Sequence, residues 1–419
     1  MNNKMGADIM SKIEMFDGGV NAAKGFVAAG VAAGVKYTGR KDMAMIYSEK
    51  PCTVAGTFTS NVVKAAPVKW DMQIVKNSPF VNAVVVNSGI ANAATGSAGM
   101  EVCAETAKKV AEVLGVNENE VLIGSTGVIG NQVPMDKISA GIDALAKVLS
   151  DTREAASDAE HAIMTTDTVP KEIAVKTTIG GKEVTIGGMS KGSGMIHPNM
   201  CTMLAYICTD CAISKEMLTK AVKADIVDTY NMITVDGDTS TNDTYLCLAN
   251  GMAENEEITT EGDDFDAFCE ALHFVNENLA KRMAKDGEGA TALFETKVCG
   301  AKTKEEARIL AKSVVGSSLC KAAIFGHDAN FGRILCALGY SGVDFDPDKV
   351  ELHYESKAGK VLLFKAGDPI AFDEEEATKV LSEDEVTVLV DMHAGEECAT
   401  AWGCDLSYDY VKINADYRS

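Results

Sequence analysis

Apolar and polar positions alternate along this chain as short apolar runs separated by amphipathic stretches. "NAVVVN" (82–87) and "VLIGST" (121–126) are bounded runs of strand length, and "EVCAETAKKVAEVL" between them repeats its apolar residues at helical spacing. Pro134 precedes a second helical pattern, "MDKISAGIDALAKVLS", and the paired glycines of "KTTIGGKEVTIGG" predict a hairpin. An unbroken apolar run after Thr202 predicts a buried strand. It is followed by a helix from Ser214, a long helix within 264–285 and a helix opened by the capping box "TKEE" at Thr303 to Glu306. Strand patterns return at "KAAIFG", "KVELHYE", "KVLLF" and "VTVLVDMH", while the acidic "GDDFDAF" and "FDEEEAT" read as helix starts, where carboxylates meet the positive end of the dipole. Many of these strands suit antiparallel pairing, so a layered α/β fold with mixed sheets is expected rather than a purely parallel one.

Composition narrows the function classes. At 419 residues the chain exceeds one ordinary core, which predicts about two to three structural units. A formal charge of -22, from 61 acidic against 39 basic residues, repels nucleic acid and anionic lipid, so polyanion binding would need a local exception. The opening "MNNKMGADIMSKIEMF" lacks the build of a signal peptide, and no apolar run approaches the roughly 18 to 20 residues of a membrane span, so a cytoplasmic enzyme is expected. Twelve cysteines scattered singly predict reduced thiols. The "CTDC" of Cys208 and Cys211 has no second pair at zinc spacing and reads as free structural thiols, so no metal is expected.

Three loops of small residues carry candidate chemistry: "NSGIANAATG", "GSTGVIG" and "KGSGM". Glycines let backbone N–H groups turn toward an oxyanion or a phosphate, although each loop alone is as ordinary as a turn. None has the order of a P-loop or a dinucleotide fingerprint, so no nucleotide cofactor is expected. His327 in "GHDANFG" is the best-placed histidine, but no "GxSxG" nucleophile elbow accompanies it. His161, His273 and His353 lie in regular patterns, and His197, beside Pro198, reads as structural.

Thr202 in "NMCTML" is ordinary as the first residue of a strand. If the Cys201–Thr202 bond is cut, however, Thr202 gains a free α-amine that titrates near about 7.7–8.0 and can take its own hydroxyl proton. In the uncut chain the same hydroxyl can attack the Cys201 carbonyl, shift the acyl group from nitrogen to oxygen and leave an ester that water opens.

At this point the sequence resembles the glutamate N-acetyltransferase (ornithine acetyltransferase) family of arginine biosynthesis. The matching motifs run almost end to end: "GTFTSNVVKAAPV", "NSGIANAATG", "GSTGVIG", "IMTTDTVPK", "KGSGMIHPNMCTML", "TVDGDTSTNDT", "GEGAT", "GHDANFGRI" and the terminal "KINADYRS". The resemblance implies an α/β/β/α-type sandwich with mixed, largely antiparallel sheets. It also implies a precursor cleaved into chains 1–201 and 202–419 that stay associated, as a heterotetramer of two each. Thr202 would be the nucleophile, with the Thr126 hydroxyl and the Gly127 N–H as oxyanion hole. Substrate would be bound by Thr166 or its neighbour Thr165, Lys191, Thr202, Glu288, Asn414 and Ser419. Lys191, Asn414 and Ser419 suit a carboxylate, and Glu288 suits an ammonium. Typical members read "MATML" where this chain has "MCTML", and alanine where it has His197; cysteine is still small enough to precede the scissile bond. The implied reaction moves acetyl from N-acetylornithine through Thr202 to glutamate. It needs no cofactor, and acetyl-CoA is a second donor that some members use and others do not. The alternative is a self-processed amidohydrolase or aminopeptidase that delivers the acyl group to water; "GEGAT" and "INADYRS", which would hold an amino-acid acceptor, favour the transferase.

Overall fold

The computed structural model describes residues 13–197 and 203–415. They fold as two units, the first built from residues 13–192, 203–229 and 239–279 and the second from 193–197, 230–238 and 280–415.

A nine-stranded mixed sheet organises the first unit. Its order is Glu14–Phe16, Glu172–Ile179, Lys182–Lys191, Leu204–Thr209, Thr244–Ala249, Met43–Phe58, Val81–Asn87 and Val121–Ser125, with Phe26–Val31 beside Met43–Phe58. Most neighbours are antiparallel. Leu204–Thr209 runs parallel to Thr244–Ala249, and Val81–Asn87 parallel to Val121–Ser125. Every residue of Val81–Asn87 and Leu204–Thr209 is buried, which is why both read as continuous apolar runs rather than alternating ones. The expected hairpin closes between Ile179 and Lys182 through Gly180 (φ 54°) and Gly181 (φ 73°), the two positive-φ positions a tight hairpin turn requires. The helix Gly96–Leu114 ends on Gly115, whose N–H returns to the Ala111 carbonyl.

The second unit carries a seven-stranded sheet in the order Asp368–Pro369, Gly359–Lys365, Glu351–Ser356, Glu385–Asp391, Leu293–Ala301, Glu397–Cys404 and Ile233–Thr234. It too is mixed, with Leu293–Ala301 parallel to Glu385–Asp391 and antiparallel to Glu397–Cys404. The helix Lys304–Gly316 lies against Leu293–Ala301 and Glu397–Cys404 and starts where expected, with the Thr303 hydroxyl accepting the Glu306 N–H at 3.1 Å.

Two expectations are corrected. "KAAIFG" is not a strand but the end of the helix Ser318–Phe325, capped by Ser317, whose hydroxyl accepts the Cys320 N–H at 3.3 Å. A short apolar run fits a strand or a buried helix equally well, and here the cap decides. The thiols are not all free: Cys299 and Cys398 are bridged across adjacent antiparallel strands with their Cα atoms 4.1 Å apart, a pairing that strand register creates and spacing in the sequence does not reveal. Cys208 and Cys211 are free and buried, as expected. No helix among the described residues is long and apolar enough to cross a membrane.

Candidate active site

Cys201, Thr202 and Ser419 lie outside the described residues. The chain on either side of that loop is placed by the first unit's sheet. Lys191 ends one strand directly opposite Leu204, which begins the next, and the Met203 carbonyl accepts the Thr244 N–H at 2.8 Å. Position 203 is therefore fixed between two strands, next to Lys191.

Lys191 is buried, and its ammonium donates to the Thr165 hydroxyl at 2.6 Å and reaches the Thr126 hydroxyl at 3.5 Å. Three of the expected site residues thus meet around one cation. Of the two candidate threonines, Thr165 accepts from Lys191, and Thr166 is half-buried beside it.

The residue that organises this cluster, Asp167, was not among the expected ones. Its side chain is wholly buried; one carboxylate oxygen accepts from the Lys171 ammonium at 2.8 Å and the Gly192 N–H at 2.7 Å, and the other accepts the Thr165 N–H at 3.0 Å. The second oxygen also faces Lys191 at 3.7 Å. Burial alone would push this carboxyl's pKa up, but Lys191, Lys171 and the hydrogen bonds outweigh it and hold the group below the ordinary carboxylate range. Glu160 behaves oppositely: burial raises it well above the usual range although it accepts the Lys171 N–H at 2.9 Å. Two lysines facing one carboxylate leave a local excess of positive charge. Lys171 follows Asp167 at i+4 in "MTTDTVPK", but the pair forms here in a loop, where the helical i,i+4 rule gives no reason to expect it.

The loop after Val121–Ser125 is laid on the loop after Val81–Asn87. Thr126 N–H donates to Asn87 O at 3.0 Å, Val128 N–H to Gly89 O at 3.1 Å, and Ala91 N–H to Val128 O at 3.0 Å. Gly127 sits at φ 131°, and a Cβ there would lie 2.2 Å from the Gly89 carbonyl carbon. Only glycine fits so close to another backbone. Asn242, buried in the "TSTNDT" motif, clips the two loops together by donating to Ala91 O at 2.5 Å and Ser125 O at 2.8 Å. Truncating Asn242 to alanine strands both carbonyls, at about 1–3 kcal/mol for each buried group left unpaired. The expected result is a clear loss of stability in denaturant unfolding together with about tenfold slower turnover. Asn242→Asp, which cannot donate, should be no better than alanine.

Glu288 and Asn414 belong to the second unit, where they meet. The Asn414 amide donates to a Glu288 carboxylate oxygen at 2.8 Å, and the Glu288 N–H donates to Ser193 O at 2.8 Å. A Cβ on Gly194 would lie 2.3 Å from the Glu288 carboxyl carbon, so glycine lets the chain pass beneath that group. The segment that follows is pinned by Asp236, whose two oxygens accept the Met195 N–H at 2.6 Å and the Ile196 N–H at 2.9 Å. His197 is hydrogen-bonded to the Thr234 hydroxyl at 2.9 Å, and burial, aided by Lys312, lowers its pKa to about 4. It is neutral at physiological pH and acts as an anchor, in keeping with a structural reading. His327 reaches the Ser382 hydroxyl at 3.4 Å, but that hydroxyl donates to Thr378 O at 2.7 Å, which leaves no activated serine. His273 is satisfied by Asp225 at 2.6 Å. Among the described residues no group of His, Cys, Asp and Glu could hold a metal ion.

Mixed sheets with hydrogen-bonded polar clusters gathered at strand ends have the build of an α/β enzyme. The ArgJ family model matches residues 27–419, and the chain belongs to that family. It is 54% identical over 407 residues to the arginine biosynthesis bifunctional protein ArgJ of Caldanaerobacter subterraneus subsp. tengcongensis, with 97% of this chain and 100% of the relative covered. It is 52% identical over 409 residues to the protein of the same name from Symbiobacterium thermophilum, covering 97% and 100%. A crystal structure of arginine biosynthesis bifunctional protein ArgJ from Bacillus halodurans, 46% identical, covers 50% of this chain and 97% of that chain with a TM-score of 0.48.

Proposed function

We propose that the protein is a glutamate N-acetyltransferase of arginine biosynthesis, moving acetyl from N-acetylornithine to glutamate in two covalent half-reactions after self-cleavage at Cys201–Thr202. The Thr202 oxygen attacks the acetyl carbonyl, its proton passing to the α-amine. The tetrahedral intermediate collapses as the C–N bond breaks, and ornithine leaves with that proton. The glutamate amine then attacks the ester and frees Thr202. Thr126 and Gly127 would hold the oxyanion in both halves. Lys191 and Thr165, with Thr166, Asn414 and Ser419, would hold the substrate carboxylate, and Glu288 the ammonium. Acetyl-CoA would serve as a second donor, the enzyme would be cytoplasmic, and the two chains would assemble as a heterotetramer of two each. No metal or nucleotide cofactor takes part.

Alongside the family match, the observation that carries this reading is the meeting of Lys191, Thr165 and Thr126 beside the strand that starts two residues after the proposed nucleophile. Continued association of the cut chains has its own support: Ile186 to Lys191, from the first chain, pair antiparallel with Leu204–Thr209, from the second. Intact-mass analysis should find chains 1–201 and 202–419, and Thr202→Ala should remain one chain. Initial rates with acetylornithine and glutamate should give parallel double-reciprocal lines. Uncut protein with full activity would rule the mechanism out, and release of acetate in place of acetylglutamate would favour the amidohydrolase.

A further inference from the structure

The strand Val121–Ser125 runs directly into Thr126 and Gly127, so whatever sets its position sets theirs. One edge of it pairs with Val81–Asn87. The other edge ends the sheet and is held by side chains of the helix Ala66–Asn77: the Trp70 indole N–H donates to Val121 O at 3.0 Å, and an Asp71 carboxyl oxygen accepts the Ile123 N–H at 2.8 Å. Against the strand lies Tyr206, from Leu204–Thr209, which begins two residues after Thr202. Tyr206 is wholly buried in one core cluster with Leu122, Val86, Leu204 and Leu246, and its hydroxyl oxygen lies 2.1 Å from where a Cβ on Gly124 would be.

Gly124 has no conformational reason to be glycine. Its φ is not among the positive ones, whereas Gly127, three residues on, sits at 131°. The position is kept clear for the phenol. A Cβ there would also lie 3.1 and 3.2 Å from the two Val86 methyls, contacts that a small shift relieves, but a ring enclosed by the core has nowhere to turn. The Tyr206 hydroxyl makes no hydrogen bond with the described residues, and burial, aided by Asp71, pushes its pKa well above the usual tyrosine range. A buried hydroxyl without a partner costs stability, so stability does not explain a tyrosine here in place of phenylalanine.

We propose that Tyr206 is a positioning residue for acetyl transfer, a spacer whose phenol fixes how far the strand leading to the oxyanion donors stands from the strand that follows the nucleophile. This rests on the acyltransferase reading above, in which Thr126 and Gly127 hold the oxyanion formed on Thr202. Tyr206 lies four residues after Thr202, and Gly124 two residues before Thr126. Their contact therefore ties together the two segments whose ends must meet at the reacting carbon. A misplacement of about 1 Å in such a site costs about a hundredfold in rate.

The test is a steric exchange between the two positions, read on kcat with acetylornithine and glutamate, on the half-time of self-cleavage and on the denaturant midpoint. Gly124→Ala should lower kcat about a hundredfold with little change in KM, and cleavage should slow in step. Tyr206→Phe should lower kcat about three- to tenfold while its midpoint stays at or above that of wild type, because a buried hydroxyl without a partner has gone. A residue serving the fold alone would not lose turnover while keeping stability. In Tyr206→Phe/Gly124→Ala the new methyl takes up the hydroxyl's space, and kcat should return to within about threefold of wild type. Gly127→Ala, which meets the Gly89 backbone and not Tyr206, should gain nothing from Tyr206→Phe. Should Gly124→Ala alone fail to fold, Tyr206→Phe and the double variant still decide. Losses that multiply in the double variant, or a Tyr206→Phe enzyme with wild-type kcat, would overturn the proposal and leave the acyltransferase reading standing. A wild type that transfers no acetyl would instead sink that reading and this proposal with it.

Discussion

Gly127→Ala should lower kcat for acetyl transfer at least a hundredfold while Gly130→Ala, three residues on, changes it little. At position 127 the new Cβ would meet backbone on three sides, at 2.2 Å from Gly89 C, 2.4 Å from Gly89 O and 2.7 Å from Ile90 N. No side-chain rotation relieves such contacts, so the loop carrying Thr126 and the residue-127 N–H must move away from the strand-end loop it lies on. A misdirected oxyanion donor costs about 10²–10³ in kcat in comparable acyl-transfer sites. Gly130 also has positive φ, 82°, but nothing lies within 4 Å of a Cβ there, so alanine meets only the backbone preference, about 1–2 kcal/mol. The pair therefore separates displacement of the donor from left-handed strain. Self-cleavage, which would use the same oxyanion hole, should slow in parallel in Gly127→Ala. A variant with intact kcat and a raised KM would show that this loop binds substrate rather than the developing oxyanion.

Which parts of this enzyme were legible before folding depended on where the signal resides. Val81–Asn87 and Leu204–Thr209 are buried on both faces, so their apolar runs stand out in one dimension. Met43–Phe58, the 16-residue strand that pairs with Phe26–Val31, Val81–Asn87 and Thr244–Ala249, does not. Exposed Glu49, Lys50 and Pro51 interrupt it midway, where its register against Val81–Asn87 shifts between Tyr47 and Cys52, and the pattern reads as two short pieces with a turn. "KAAIFG" failed for the opposite reason, too little length to carry a period. In the site, motif resemblance picked out Lys191, Thr126, Gly127, Glu288 and Asn414, the residues proposed to face substrate. It did not pick out Asp167, Asn242 or Asp236, which face other protein groups. Their roles come from contacts between residues far apart in sequence, such as Asn242 with Ala91, and no local spacing encodes those.

Asp167→Asn should be the most destabilising conservative change in the first unit, and its cost should depend on Lys171. In the folded protein the Lys171 and Asp167 side chains are both 0% exposed and lie 2.8 Å apart. Removing the negative charge takes away the carboxylate that Lys171 and Lys191 share, and breaking a buried ion pair from one side costs about 3–5 kcal/mol. Lys171→Met alone should also destabilise, by stranding the carboxylate. The double variant, with neither charge, should recover part of the loss, so the two changes should not add. The pH dependence has a fixed sign. Because the folded state holds the Asp167 carboxyl below its unfolded value of about 3.9, its contribution is fully present above that pH and is lost as pH falls toward the folded value. Asp167→Asn should therefore flatten the acid limb of the stability profile. A merely structural role would end there. If Asp167 also aims Lys191 at the substrate carboxylate, both Asp167→Asn and the double variant should raise KM for glutamate about tenfold, even where the double variant has regained stability. Recovery of KM along with stability would mean that Lys191 needs no aiming, and that Asp167 serves the fold alone.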